Sequence, residues 1–329
     1  MAQSSIIPRR ALLAAPLLAM GRGVQAQPAY PDRPITVVIP YPPGGGTDSF
    51  GRPVSQLLGQ ALGQSVVVEN RGGGATSIGS TYVARARPDG YTLLLGSNSL
   101  AINPALDPSL TPRDPMRELS PVGLVYRSPF LLLVQDAVPA RTLAEFIAYM
   151  RANPGRINYA SSGNGSANHL VFALLAERAG VEAEHVPYRG LAPALLDLSA
   201  NRVQAIFCSA LLARPLLDRG VARAIAVSSA ERMAALPDLP PVADTLPGFD
   251  AVFWQGLFAP AGTPQPIIDR LHAALIAATS DSALQARAVA DGSEIRASDP
   301  QGLERFLAEE TRTWAALVRQ AKLTADPAP

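Results

Sequence analysis

The sequence predicts an α/β protein of two domains, joined by a hinge and separated by a central ligand cleft. Short apolar runs of strand length alternate with helical patterns from Ile35 onward, which is typical of parallel sheets covered by helices. The same alternation begins again near Pro129. The last three helical patterns have apolar faces that need a sheet to cover, so we expect the chain to return to its first domain.

The composition is that of a globular chain with a substantial core. Of 329 residues, 48% are apolar and 17% are charged, and the length suggests about two domains. The net charge is +1, and acidic and basic residues are interspersed. Because a nucleic-acid-binding protein shows a basic cluster or stripe, we expect no nucleic-acid partner. No apolar run reaches the ~18–20 residues of a membrane-spanning helix.

Residues 1–26 have the pattern of a signal peptide. Arg9 and Arg10 form a basic start, residues 11–20 are apolar, and Val24-Gln25-Ala26 is a small-residue cleavage site. The alternative is a marginal first helix. We expect cleavage after Ala26 and a soluble periplasmic protein, with the Sec and twin-arginine export routes both open.

The first domain begins with one strand, loop and helix. Residues 35–39 form a β-branched run that is typical of a strand buried on both faces. A glycine-rich loop follows, Thr47 offers an N-cap, and the apolar residues between Phe50 and Leu62 lie on one helical face. Further strands are predicted at 66–68 and 92–95, with a short helix at 78–86.

The second domain repeats this organisation. A strand at 130–134 precedes a helix at 142–152, which Asn153-Pro154-Gly155 ends. A short strand at 158–160 then runs into the loop Ser161–Ser166. The remaining predicted elements are a helix through Leu170 and Glu177 ended by Gly180, a strand at 185–186, a helix at 192–200, and strands at 203–207 and 222–227.

The C-terminal part is predicted to complete the first domain. A proline-rich connector at 231–249 leads into an aromatic strand at 253–258, and helices follow at 266–278, 281–290 and 300–321. We therefore expect a discontinuous first domain of residues 27–127 plus 251–329, with residues 128–250 inserted as the second domain. Two crossings between the domains make a hinge, and ligands bind in such clefts.

Two glycine-rich loops carry the predicted ligand chemistry. Tyr41–Asp48 and Ser161–Ser166 each follow a strand and precede a helix, one in each domain. Glycine lets the backbone approach a ligand, and the next helix supplies unpaired N–H groups with a partial positive charge. Tight turns are the alternative interpretation of each loop. The matching positions of the two loops predict an anion site formed by both domains.

Catalytic and nucleotide-binding patterns fit the sequence poorly. Gly163-Asn164-Gly165 lacks the third glycine of a dinucleotide loop, because Asn168 stands there, and Thr47-Asp48 replaces the lysine of a P-loop. Ser161 and Ser162 are not framed as a Gly-x-Ser-x-Gly nucleophile. Because the sequence shows no acid–base pair, we expect a binding protein, not an enzyme, and no cofactor.

Five further side chains have more ordinary interpretations. His169, His185 and His272 lack metal-ligand spacing, so we expect no metal, and His169 is expected to pack or to make a structural hydrogen bond. Asp48 either caps its helix or selects a ligand ammonium. Cys208 cannot form an intrachain disulfide; it either faces the ligand at a strand end or is a small buried hydrophobe.

Several motifs in fixed order resemble the receptor proteins of tripartite tricarboxylate transporters, also called the Bug family. The resemblance covers nearly all of the chain after residue 26. The motifs are Tyr41–Asp48, Val67–Arg71, Pro88–Leu93, Ser161–Ser166 with His169-Leu170, His185–Gly190, Pro260–Pro264 and Trp314.

This resemblance implies a periplasmic Venus-flytrap binding protein that hands a small carboxylate to a two-component membrane permease. The ligand would be a di- or tricarboxylate, a carboxylated amino acid or an aromatic acid, and we expect a monomer. An exported ligand sensor and an enzyme on the same fold are the alternatives. With the strand-end pair Cys208 and Ser209 added, the expected ligand contacts are Tyr41, Gly44, Gly45, Thr47, Asp48, Ser97, Ser161, Ser162, Gly163, Gly165, Ser166, Tyr188, Arg189 and Gly190.

Overall fold

The structure is a computed structural model that describes residues 30–44 and 46–320. The predicted signal peptide lies outside the described residues, as does Gly45 of the first glycine-rich loop.

Strands and helices alternate along most of the described chain. The strands are β1 (Ile35–Ile39), β2 (Val66–Asn70), β3 (Thr92–Ser97), β4 (Leu119–Pro129), β5 (Leu131–Gln135), β6 (Asn158–Ser161), β7 (Glu184–Pro187), β8 (Ala205–Cys208), β9 (Ala222–Val227), β10 (Val252–Pro260) and β11 (Glu294–Ile295). The α-helices are α1 (Gly46–Leu62), α2 (Ser77–Ala84), α3 (Ser99–Leu106), α4 (Pro115–Glu118), α5 (Leu143–Ala152), α6 (Ala167–Ala179), α7 (Leu191–Ser199), α8 (Ala210–Asp218), α9 (Gln265–Thr279), α10 (Ser282–Ala290) and α11 (Pro300–Gln320).

The strands form two sheets, and both are mixed where a wholly parallel pattern was expected. The first has the order β11-β4-β10-β3-β1-β2 and the second the order β7-β6-β8-β5-β9. β1 is parallel to β2 and β3, and β6 is parallel to β7 and β8. β10 is antiparallel to β3 and β4, and β5 is antiparallel to β8 and β9. The chain leaves the first sheet at the end of β4 and returns to it beside that point, at the start of β10. These two neighbouring strands therefore run in opposite directions.

Helices cover both faces of the first sheet. Phe50 and Leu58 of α1 and Leu271 of α9 pack in a buried cluster with β1 and β10. On the other face, α11 packs against α3 and β4. Burial of these apolar faces explains why the C-terminal helices lie on the first sheet.

A buried carboxylate fixes α11 to the strands near the centre of this sheet. Glu310 accepts hydrogen bonds from the indole Nε1 of Trp254 (2.7 Å) and of Trp314 (3.0 Å), and from Asn98 Nδ2 (3.2 Å). Burial raises the pKa of Glu310, although the two indole hydrogen bonds act against that rise. One side chain therefore joins β10, α11 and the residue that follows β3.

The two connections between the sheets lie side by side. β4 ends at Pro129 beside Val252 of β10, and β5 begins at Leu131. Between them, Phe130 N donates to Ser228 Oγ (2.8 Å), and Ser228 N donates to Phe130 O (2.9 Å). Ser228 Oγ also donates to the carbonyl of Ala251. The fully buried Ser228 thus ties both connections together.

Candidate functional site

The carboxyl ends of the parallel strands in both sheets lie at the edges next to these two connections. In the first sheet, Ser97 at the end of β3 pairs with Gln255, three residues after β10 begins at Val252. In the second sheet, Cys208 at the end of β8 pairs with Leu131, where β5 begins. Ligands in open α/β sheets bind outside the carboxyl ends of the strands, so these two edges are the candidate walls of one site.

A cluster of hydroxyl groups forms part of the first wall. The Tyr41 hydroxyl lies 2.6 Å from Ser97 Oγ and 3.0 Å from Ser99 Oγ. Burial raises the pKa of Tyr41, and the hydrogen bonds with the two serines oppose that rise. The motif-based contacts Tyr41 and Ser97 therefore meet, and Ser99 joins them from the first turn of α3 without having been predicted.

Asp48 is held by groups of its own wall. Its carboxylate accepts hydrogen bonds from Gly44 N (3.0 Å), Arg52 Nε (2.9 Å) and Asn70 Nδ2 (2.8 Å). Burial alone would raise the pKa of Asp48, but the three hydrogen bonds and the Arg52 charge lower it below its ordinary value. Asp48 therefore joins the start of α1 to the end of β2. These contacts favour the capping interpretation. Thr47 is buried inside α1, which begins at Gly46, so it is not the expected N-cap.

The loop after β6 is folded around one carbonyl group. Gly163 O accepts hydrogen bonds from Ser161 Oγ (3.0 Å) and Ser166 Oγ (2.6 Å). Gly163 and Gly165 have φ angles of +134° and +71°, which residues other than glycine seldom adopt. Ser162 instead donates from Oγ to Asn168 Oδ1 (2.9 Å).

Ser166 stands at the N-cap of α6 but makes no side-chain cap hydrogen bond. Its hydroxyl is turned to Gly163 O, and the first backbone donor within the helix is Leu170 N, which binds Ser166 O (3.1 Å). The N–H groups of the first turn therefore lack a capping side chain. Beside them, Asn168 is 3% exposed, and its Nδ2 has no hydrogen-bond partner among the described residues.

The segment after β7 packs along this loop. Tyr188 N donates to Ser161 O (3.1 Å) and Gly190 N to Ser162 O (3.3 Å). The Tyr188 hydroxyl donates to Asp197 Oδ2 (2.8 Å), and burial together with this contact raises the pKa of Tyr188 to about 12. Arg189 is exposed.

The end of β8 differs from a ligand-facing strand end. Cys208 is fully buried in an apolar cluster with Leu131 and Ala160, and burial raises the pKa of its thiol. This placement favours the small-hydrophobe interpretation over ligand contact. Ser209 caps α8, with its Oγ accepting from Leu212 N (3.5 Å).

An acidic residue that was not predicted lies near the end of β8. Asp291, which follows α10, accepts a hydrogen bond from Leu211 N at the start of α8 (2.7 Å). Burial raises the pKa of Asp291. Because Asp291 lies far from β8 in sequence, its place beside that strand depends on the return of the C-terminal part of the chain.

The two walls approach each other closely at Gly165. A Cβ atom added there would lie 2.5 Å from Cδ2 of Leu106, the last residue of α3. The loop of the second sheet therefore touches the helix that follows β3 of the first. The hydrogen bonds of the hydroxyl cluster and of the loop, by contrast, each stay within one wall.

Neither metal-binding nor membrane-spanning features appear in the described residues. No group of three or more His, Cys, Asp or Glu side chains in residues 30–44 and 46–320 could hold a metal ion. Within the same ranges, every helix is too short or too polar to cross a membrane.

Comparison with known proteins identifies close relatives. The profile of the family described as "Tripartite tricarboxylate transporter family receptor" matches residues 51–323. BugT of Bordetella pertussis is 35% identical over 294 residues, which cover 88% of this chain and 90% of BugT.

Two solved structures that resemble this chain contain small carboxylates. Rpa4515 of R. palustris, solved with adipate, is 32% identical with a TM-score of 0.82 and matches 90% of this chain and 100% of its own. MatC (Rpa3494) from Rhodopseudomonas palustris, with bound malate, is 34% identical with a TM-score of 0.79 and matches 88% of this chain and 100% of its own.

Proposed function

The chain belongs to the tripartite tricarboxylate transporter receptor family, and from this premise we propose that it binds one small carboxylate between its two sheets. Each sheet with its helices acts as one domain, and the connections paired through Ser228 act as the hinge. Among the alternatives, a binding protein fits better than an enzyme on the same fold, because the family is described as a transporter receptor and a similar solved structure, BugD, is a periplasmic binding protein.

The uncapped start of α6 is the observation that carries this proposal. A carboxylate at this position would accept hydrogen bonds from first-turn N–H groups and from the buried Asn168 Nδ2, which has no partner among the described residues. The partial positive charge of a helix N-terminus favours the same ligand charge. Hydrogen bonds to charged groups contribute about 1.5–3 kcal/mol each, so a few of them reach micromolar affinity.

The opposite wall offers hydroxyl groups for the rest of the ligand. Tyr41, Ser97 and Ser99 lie together there and can exchange hydrogen bonds among themselves for bonds to a second polar group. Adipate and malate, which occur in the two similar structures, are both dicarboxylates. We therefore propose a dicarboxylate of this size as the ligand class.

We further propose an exported monomer that delivers its ligand to a two-component membrane permease. The description of the matched family as a transporter receptor supports this partner. The alternative partner is a sensor protein that recognises the closed form of the binding protein. Neighbouring genes for a large and a small membrane subunit would favour the permease.

A thermal-shift screen of carboxylates, sugars and free amines tests the ligand class. We expect stabilisation by dicarboxylates of about 2.7 kcal/mol at a hundredfold excess over the dissociation constant. Asn168→Asp should weaken binding by about tenfold or more, because a carboxylate would replace the amide donor. Gln60→Glu adds the same charge at an exposed position of α1 and serves as the control. Stabilisation by sugars or amines alone would overturn the proposal.

A further inference from the structure

Four aromatic rings pack beneath the loop at the start of α6. Tyr159 of β6 and His185 of β7 are register partners on neighbouring parallel strands. α6 places two rings over them: His169 stacks on His185 with centroids 3.8 Å apart and planes 7° apart, and Phe172 stacks on Tyr159 at 4.0 Å and 6°. His169 and Phe172 are three residues apart, so they lie on one face of the helix.

Both imidazoles of this stack are bound to the loop above it. His169 Nδ1 accepts a hydrogen bond from Gly165 N (3.1 Å), and a hydrogen bond of 2.6 Å joins His185 Nε2 and Ser161 Oγ. Gly165 N is a backbone donor near the end of the loop, and Ser161 Oγ is at its beginning. The stacked pair therefore holds the loop at two points.

These two hydrogen bonds stabilise a loop conformation whose ordering costs conformational entropy. The loop places Gly163 and Gly165 at positive φ, where glycine gives up much conformational freedom on becoming ordered. Ser161 Oγ also accepts a hydrogen bond from Gly163 N (3.1 Å). His185 is therefore connected through Ser161 to the middle of the loop. A loop that is already ordered loses less entropy when it binds a ligand.

We propose that His169 and His185 are positioning residues that keep the loop 161–166 in its ligand-receiving conformation. They act through Gly165 and Ser161, not by touching the ligand. The inference rests on the proposed carboxylate site and adds to it the residues that shape one of its walls.

Two pairs of variants separate the hydrogen bonds from the stacking. His169→Phe keeps a ring on His185 but removes the acceptor for Gly165 N, whereas His169→Asn keeps an acceptor near the place of Nδ1 and removes the ring. His185→Phe and His185→Gln divide the roles of His185 in the same way, because the Gln amide reaches the place of Nε2. If one pair fails to fold, the other still tests the inference.

Isothermal titration with malate and with adipate provides the first readout. We expect each Phe variant to bind the preferred acid about tenfold more weakly, with its melting temperature changed by only about 2–4 °C. The Asn and Gln variants should recover most of the affinity although they lose the stack. Equal affinity in the Phe variants and the natural protein would overturn the inference, as would equal loss in both members of each pair.

Hydrogen exchange in the ligand-free protein provides a second readout that does not depend on binding. The Gly165 amide should be protected in the natural protein and in His169→Asn, and should exchange faster in His169→Phe. If the natural protein binds no carboxylate, the proposed function fails and this exchange experiment still decides the inference. Unchanged exchange in His169→Phe would contradict it.

Discussion

At the scale of single residues, His169 shows what burial does to an ionisable group beneath the loop 161–166. Only 6% of its surface is exposed. Burial, with a contribution from His185, lowers the pKa of His169 to about 3. A neutral ring can accept from Gly165 N at Nδ1, whereas a protonated ring carries hydrogens on both nitrogens. The loop geometry therefore requires the uncharged form.

This lowered pKa predicts an acid-sensitive contribution to stability. Between pH 6.5 and about 3 the unfolded chain binds a proton at His169 that the folded chain does not bind, so stability falls as the pH falls. The slope for one proton is about 1.4 kcal/mol per pH unit. Urea unfolding at pH 7, 6, 5 and 4 should show the free-energy difference between the natural protein and His169→Phe changing with about this slope.

The comparison with His169→Phe removes this group and leaves the other titrating residues in both proteins. Parallel pH curves for the two proteins would contradict the prediction. A measured difference that grows in favour of the natural protein at low pH would contradict its sign.

Asp48 and Cys208 show that the sequence predicted the position of a residue better than its role. The sequence predicted Asp48 at the start of a helix and Cys208 at the end of a strand, which is where the structure has them. Their surroundings come from residues distant in sequence: Asn70 binds Asp48 across 22 positions, and Leu131 pairs with Cys208. Hydrogen-bond partners and burial of this kind depend on the packed fold, so the sequence left both roles open.

At the scale of elements, a regular apolar period made most helices predictable, including α1 with its internal Pro53, whereas three other elements that contain proline were missed. The helix at 142–152 was predicted, and its capping box of Thr142 and Glu145 is present. α3, α8 and β4 were not predicted, and they contain Pro104, Pro215 and Pro121. Proline removes a backbone donor, so packing must stabilise these elements. In β4, Pro121 lies where the register with β10 shifts.

The contact between the loop before α6 and the end of α3 gives a prediction at this scale. Gly165→Ala adds a methyl group 2.5 Å from Leu106 Cδ2, at a φ of +71° that alanine seldom adopts. We expect weaker carboxylate binding and a loss of stability of about 1 kcal/mol or more, measured by titration and by urea unfolding.

A double variant separates the two causes. Leu106→Ala removes the clashing side chain, so Gly165→Ala with Leu106→Ala should recover the part of the binding loss that is due to contact between the walls. The part due to the φ angle should remain. If Leu106→Ala recovers nothing, the contact with α3 is irrelevant to binding.

At the scale of the whole molecule, two connections join the sheets, one through Phe130 and one through residues 228–251. The hydrogen bonds of Ser228 join these connections, while Gly165 and Leu106 bring the walls into contact. The alternation of elements predicted the α/β class, and the structure has two sheets with β10 in the first and α11 packed on it. The orientation of the two sheets relative to each other was not predictable, because it depends on a few contacts between residues that are far apart in the sequence.

Because the two candidate walls are in contact at Gly165 and Leu106, we expect the ligand-free protein in solution to open at the proposed hinge. Small-angle scattering without ligand should give a larger radius of gyration than the value calculated from this structure. Saturating dicarboxylate should reduce it toward that value, because bonds to both walls favour the closed form by their difference in affinity for the two states. Glucose at the same concentration is the control. A radius that stays the same under saturating ligand, with binding verified by titration in the same buffer, would show that the ligand enters without domain closure and that the connections at Ser228 are not a hinge.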